Sequence, residues 1–231
     1  MSDLIDTTEM YLRTIYELRE EGIPPLRARI AERLGHSGPT VSQTVARMAR
    51  DGLLTLGGDR HLELTGEGDL LATRVMRKHR LAELLLVKVI GLEWEYVHDE
   101  ACRWEHVMSE RVERKLLRLL GEHTESPYGN PIPGLDELGE EPGEDFRRGV
   151  KSLIELAEAG ESTVVVRRIG EPAQVDREAL ELLTSAGLLP GQRVRLRTED
   201  GRTIIVPDGG ETAAGVSLPP EVAMHVFAAE V

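Results

Sequence analysis

The sequence predicts a mainly α-helical protein with a small β domain towards its C-terminal end, and three observations predict it. Apolar residues recur at spacings of three and four from residue 7 to about residue 120. Two short amphipathic segments within residues 26–50 are joined by the glycine-containing turn Gly35-His36-Ser37. Beyond residue 160 the pattern changes to β-branched runs between glycine-rich turns. The chain of 231 residues can bury a sizeable core and suits several small domains better than one large one.

Residues 7–20 alternate apolar and charged positions at helical spacing, with Asp6 or Thr7 as the N-cap and Gly22 and Pro24-Pro25 as the stop. Residues 26–34 form a short helix. Pro39 opens the next one, residues 39–50, at the position where its missing N–H costs nothing. Val41, Val45 and Met48 make the buried stripe of that second helix, leaving Ser42, Gln43, Arg47 and Arg50 on other faces. Residues 53–64 read as two short strands around a Gly57-Gly58 turn. Together these make a winged helix-turn-helix, whose second helix presents its N-terminal residues to the DNA major groove.

A long helical region follows from about 67 to 120, interrupted at Gly91–Trp94. The helix that resumes there is expected to continue through Val107, Met108, Val112, Leu116, Leu119 and Leu120. That stripe exceeds what a winged helix needs to cover, so it predicts burial against a second copy in a two-fold homodimer. Residues 126–149 are rich in turns, acids and glycine and read as a loop and mobile linker. Strands are expected at 163–169, 193–197, 203–206 and 226–231, with one short helix near 176–186, a pattern that suits a small, strongly bent SH3-like barrel. The division is therefore 1–73, winged helix-turn-helix; 74–140, helical dimerisation and metal-binding unit; 141–150, linker; and 151–231, SH3-like domain.

A net charge of −13 argues at first against nucleic acid, because affinity for a polyanion rests on Lys and Arg. Its distribution reverses the inference: residues 27–50 hold five arginines (27, 29, 33, 47 and 50) against the single acid Glu32. The acids collect elsewhere, notably within residues 136–145. Arg27, Thr40, Arg47, Arg50 and Arg60 are candidates for phosphate contacts, and Ser37, Pro39, Ser42 and Gln43 for base edges or thymine methyls. A lone cysteine excludes an intrachain disulfide and fits a reducing compartment; with neither a signal peptide nor an apolar run of membrane-spanning length, a cytoplasmic protein is expected.

The chemistry concentrates in residues 98–106, where His98, Cys102, Glu105 and His106 share one helix face and make a metal-ligand inventory. His98 and His106 would stand about 12 Å apart along such a helix, too far to bind one ion. Either the stripe serves two metals or one histidine is a bystander. Upstream, His79 and Glu83 form an i, i+4 pair able to ligate together. A metallohydrolase reading fails on position 102, which is cysteine where His-x-x-Glu-His needs histidine, and no His-Glu-x-x-His occurs; the chain is not expected to be an enzyme. A redox sensor working through Cys102 is the other alternative.

The run Thr7-Thr-Glu-Met-Tyr-Leu12, the segment Ser37-Gly-Pro-Thr-Val-Ser-Gln-Thr-Val-Ala-Arg47, and Glu100-Ala-Cys-Arg-Trp-Glu-His106 with Gly129-Asn-Pro-Ile-Pro133 closely resemble the diphtheria toxin repressor and iron-dependent regulator family. The resemblance implies an iron(II)-activated repressor of iron-homeostasis genes. It would bind palindromic double-stranded operator DNA as a homodimer, with one or two dimers per operator. It implies two metals per subunit. One corresponds to Met10, Cys102, Glu105 and His106; the other to His79, Glu83 and His98, completed by two ligands of the SH3-like domain, here Glu171 and Gln174 in an expected loop. The thioether and thiolate favour a later, softer divalent ion over Ca²⁺ or Mg²⁺ and would also suit Zn²⁺ or Ni²⁺; the resemblance makes Fe²⁺ the expected ion, with Mn²⁺, Co²⁺, Ni²⁺ or Zn²⁺ as substitutes in vitro. In the family the first helix also unwinds at its start, so that residues near Leu4 avoid the DNA.

Overall fold

Asp6 caps the first helix as the sequence predicts: its carboxylate accepts from the backbone N–H of Thr8 and Glu9, at 2.7 and 3.3 Å, and α1 runs Thr7–Glu20. The computed structural model describes residues 6–121, 123–160, 162–199, 202–207 and 215–231, so the segment around Leu4 lies outside the described residues. Helix α2 (Arg27–Leu34) stops at Gly35, which takes the left-handed conformation with φ 63°. Helix α3 (Gly38–Arg50) starts at Ser37, whose hydroxyl accepts from the Thr40 N–H. Tyr11, Leu12, Ile15 and Leu18 of α1 bury against Ile30, Val41, Val45 and Met48, the stripe expected of a helix-turn-helix.

The wing follows as β1 (Leu54–Leu56) paired antiparallel with β2 (Leu62–Leu64). Its turn is wider than a Gly57-Gly58 hairpin: Gly57 N–H donates to His61 O at 2.9 Å, and the residue with positive φ, 69°, is Arg60. The Asp59 carboxylate accepts from the His61 N–H and so closes the loop around Arg60 instead of around the glycines.

Helix α4 (Gly66–Leu85) packs along α1, then widens into a π turn at Leu86–Ile90 before Gly91. The single helix expected from residue 98 to 120 is in fact two, α5 (Trp94–Trp104) and α6 (Glu110–Leu120), with no Gly or Pro to signal the break. The turn between them carries Met108 into the core and lets Glu105 face back towards α1. Of the stripe expected to face a second copy, Val107, Val112 and Leu119 stay exposed in the single chain, whereas Met108 and Leu116 are buried in its own core and Leu120 packs against it.

The C-terminal part is a six-stranded antiparallel sheet. Its strands are β3 (Lys151–Ser152), β4 (Ser162–Ile169), β5 (Arg193–Glu199), β6 (Arg202–Pro207), β7 (Val216–Leu218) and β8 (Val226–Glu230), in the order β3-β8-β4-β5-β6-β7. Helices α7 (Leu153–Ala159), α8 (Glu171–Val175), α9 (Arg177–Ser185) and α10 (Pro220–Ala223) accompany it. Of these only α9 was legible in the sequence. Residues 171–175, expected as a loop, make a helical turn with Pro172 as its second residue, within the first turn where a missing N–H is tolerated.

Residues 126–149, expected as a loop and mobile linker, pack against the fold at several points. Tyr128, Asn130, Ile132, Leu135, Leu138 and Phe146 are all buried. Tyr128 donates its hydroxyl to Trp94 O at 2.8 Å, and the Asn130 amide donates to Ile169 O at 2.9 Å. Gly129 sits where a side chain is impossible: φ is 78°, and a Cβ would lie 1.9 Å from Arg167 O. Prolines and glycines deny this stretch a regular element, but its apolar residues dock while its acids face water. One apolar core therefore runs unbroken from α4 through this stretch into the sheet.

Phe146 lies edge-on to Phe227, ring centroids 5.0 Å apart, beneath Arg168. Phe146→Ala is expected to lower stability by about 3 kcal/mol in denaturant unfolding. A loss below ~0.5 kcal/mol, normal for an exposed site, would restore the mobile linker.

Candidate metal centre

Five donors meet where α4 crosses α5. Helix α4 supplies His79 and, one turn on, Glu83; α5 supplies His98 and, one turn on, Cys102; Glu105 follows where α5 ends. One donor atom each from His79, Glu83 and His98 lies within 4.8 Å of the others, and the same holds for His79, Cys102 and Glu105. His79 belongs to both groups: its Nε2 is 3.0 Å from Glu83 Oε1 and its Nδ1 is 2.6 Å from Glu105 Oε2. Cys102 Sγ is 3.3 Å from His98 Nε2, so the two groups form one continuous cluster.

His79, Glu83 and Glu105 are fully enclosed and His98 is buried, while Cys102 is half-buried at the edge of the cluster. Burial would raise the Glu105 carboxyl, but the Arg13 guanidinium and the His79 ring hold it down at about 2. Burial likewise opposes ionisation of Cys102, and Arg13 and His98 overcome it, leaving the thiol well below its ordinary range. His79 is pushed the other way: desolvation disfavours its charge, but Glu83, Cys102 and Glu105 hold it well above the usual imidazole value. Both its nitrogens face carboxylates, an arrangement that only the doubly protonated ring satisfies.

The residues present fit a divalent ion. Glu83 Oε2 and Glu105 Oε1 are buried and accept no hydrogen bond among the described residues, so each of these two carboxylates keeps acceptor capacity unused by the protein. Imidazole, carboxylate and thiolate are the donors that later first-row divalent ions take.

The other expected ligands stand at the margins. Met10 is half-buried in the first turn of α1. Its neighbour Glu9 places its carboxylate 2.5 Å from His106 Nδ1, which brings the start of α1 against the end of α5. His106 Nε2 is 3.4 Å from Glu105 Oε1. Gln174 Oε1 is 3.3 Å from His98 Nδ1. Glu171 is buried but committed elsewhere: Arg80 Nη2 and Nε donate to its Oε1 at 2.6 and 3.1 Å, and the same guanidinium bonds Glu20 of α1. Burial would raise the Glu171 carboxyl, yet Arg80 holds it at about 2.

Sequence reasoning missed Arg13, Glu9 and Arg80. Arg13 lies one turn after Met10, and Arg80 adjoins His79. Those positions were the available signal, but arginine at an amphipathic edge reads as a solvated charge.

Ser37, Pro39, Thr40, Ser42, Gln43, Arg47 and Arg50 of the α3 region are exposed, as is Arg60 in the wing turn. Ser37 also serves as the α3 N-cap and shares a hydroxyl contact with Thr40, 2.8 Å. Arg27 is half-buried at the start of α2.

Comparison with known proteins bears on this arrangement. Residues 3–62 match the family described as iron dependent repressor, N-terminal DNA binding domain, and residues 65–134 match iron dependent repressor, metal binding and dimerisation domain. The iron-dependent repressor IdeR of Mycobacterium tuberculosis (strain H37Rv) is 60% identical over 230 residues, 98% of either chain. The diphtheria toxin repressor of Corynebacterium diphtheriae is 54% identical over 209 residues, 90% of this chain and 92% of its own. Among solved structures, the T. acidophilum IdeR matches 98% of this chain and 99% of its own with a TM-score of 0.78 at 27% identity. A manganese-dependent transcriptional repressor complexed with manganese matches 97% and 100% with a TM-score of 0.82 at 28% identity. With two adjoining domains matched and relatives aligned end to end, the chain belongs to the iron-dependent repressor family, that of IdeR and the diphtheria toxin repressor.

Proposed function

We propose that this iron-dependent repressor is activated by Fe²⁺ at two sites per subunit, binds palindromic operator DNA as a homodimer, and controls iron-homeostasis genes in the cytoplasm. The observation that carries the proposal is the shared cluster of buried His79, Glu83, His98 and Glu105 with half-buried Cys102 beside α1. Cys102, Glu105, His106 and Met10 would hold the activating ion; His79, Glu83, His98, Glu171 and Gln174 would hold the second. A thiolate and two histidines favour Fe²⁺ over Ca²⁺ or Mg²⁺, and Co²⁺, Ni²⁺, Zn²⁺ or Mn²⁺ would substitute in vitro.

Cys102, Glu105 and Glu83 would present a thiolate and carboxylate oxygens to a divalent ion, whose charge would match them. Met10 stands on α1, whose Tyr11, Leu12 and Ile15 bury against α3, so a restraint on α1 is felt at the recognition helix. Cys102, Glu105 and His106 stand on or beside α5, which adjoins the exposed Val107, Val112 and Leu119 stripe that would face a second subunit. Fixing α1 to α5 therefore fixes each α3 relative to the dimer axis, and with it the spacing of two half-sites on one face of DNA. The exposed α3 residues offer few bidentate base readers, so specificity leans on DNA shape and dimer spacing, with one or two dimers per operator.

Under anaerobic conditions, Fe²⁺ is expected to raise affinity for a palindromic operator by about 5- to 150-fold, the span of ordinary allosteric coupling, and Cys102→Ala to abolish the difference. Equal affinity of the wild type with and without Fe²⁺ would sink the proposal. At the DNA surface, Gln43→Ala is expected to change sequence preference with little effect on the salt slope. Arg47→Ala should weaken all sequences alike and reduce that slope by about 1. Indistinguishable behaviour of the two variants would refute their separate roles.

A further inference from the structure

We infer that Arg13 is an internal cation that competes with the divalent ion for Cys102 and Glu105, and so sets both the metal affinity of the site and the hold of α1 upon it. The inference rests on the metal reading above.

One nitrogen carries the geometry. Arg13 Nη1 lies 2.9 Å from Cys102 Sγ, 2.9 Å from Glu105 Oε2 and 3.1 Å from His79 Nδ1. These are the three donors that also converge as a candidate metal group, so the guanidinium nitrogen stands where they offer a cation its place. The His79 contact is proximity, since that Nδ1 donates its proton to Glu105. Sulfur and oxygen ligands approach a divalent ion to about 2.0–2.3 Å. A guanidinium at 2.9 Å from the same atoms and a bound ion exclude one another, by space and by like charge in a desolvated site. Either cation satisfies the two anions; both together do not fit.

The side chain also has somewhere to go. Arg13 Nε lies 3.1 Å from Glu17 Oε1, one turn along α1, and that oxygen is buried without a hydrogen-bond partner. On this side Arg13 lines a cavity of about 190 Å³ with Glu17, Arg33, His98 and Glu171. A rotation about the outer side-chain bonds would transfer the guanidinium from Glu105 towards Glu17 while α1 stays packed. Arg13 is thus a positioning residue: it ligates nothing, yet its departure is a precondition for ligation by Cys102 and Glu105.

The test is an anaerobic Co²⁺ titration, read by the thiolate-to-cobalt absorption band, on wild type, Arg13→Met and Arg13→Lys. Arg13→Met, which keeps length and loses charge, is expected to bind Co²⁺ at least tenfold more tightly, while its metal-free form melts below wild type. Arg13→Lys, which keeps the charge, should stay close to wild type in affinity. Wild-type or weaker Co²⁺ binding by Arg13→Met would overturn the inference and leave the metal reading intact. Absence of the band in wild type would strike the metal reading itself. Should Arg13→Met not fold, side-chain NMR of the wild type decides: the protected guanidinium N–H signal missing from Arg13→Lys is expected to vanish on adding one equivalent of Zn²⁺. Its persistence unchanged would overturn the inference.

Discussion

Glu105 is the carboxylate on which the arrangement depends. It receives Arg13 of α1 at 2.9 Å and His79 of α4 at 2.6 Å, so one buried anion fastens the first helix of the DNA-binding part to two helices of the metal-binding part. A buried carboxylate persists only when its charge is matched, and breaking such a match costs about 3–5 kcal/mol. Cys102 repeats the pattern with Arg13 and His98. The junction is thus held by charge and not by apolar contact alone, and charge is what a metal ion alters.

A second buried network extends the junction to the third part of the chain. Arg80 donates to Glu20 of α1, to Glu171 of α8 and to Pro131 O in the docked 126–150 stretch. Glu21, next to Glu20, joins Arg33 of α2 to His225 beside β8, at 2.6 and 3.0 Å. The C-terminal sheet is therefore tied to the helix-turn-helix as well as to the metal-binding helices. Glu171 shows what this means: the residue expected as a ligand is also the counter-charge of Arg80, and it stands near the cluster because the sheet docks there.

Much of this was legible where information is local. Apolar spacing located the helix-turn-helix, and the i, i+4 pairs His79 with Glu83 and His98 with Cys102 announced a donor set because a helix places such residues on one face. What escaped depends on contacts between residues far apart in the chain. Arg13 meets Glu105 across 92 positions, and Glu9 meets His106 across 97. Neither pairing leaves a periodic trace. The docked stretch 126–150 escaped for a related reason: its prolines and glycines describe what the backbone cannot do, while Tyr128, Leu135 and Phe146 find their partners only in the folded core. The break between α5 and α6 has no glycine or proline either; the chain leaves the helix after Glu105, where the Val107 and Met108 N–H groups both turn to Trp104 O. The two groups of donors that lie close together share His79, because its two nitrogens face different carboxylates.

That this buried cluster, with its thiolate, is the place where a metal ion acts is open to one direct measurement. Zinc-edge X-ray absorption on the Zn²⁺-loaded chain reads the ligand atoms without reference to DNA. A sulfur shell at about 2.3 Å beside a shell of nitrogen and oxygen at about 2.0–2.1 Å is the expected result, with the sulfur shell reduced when Cys102 becomes Ser. A spectrum with nitrogen and oxygen neighbours alone, unchanged by that substitution, would contradict it.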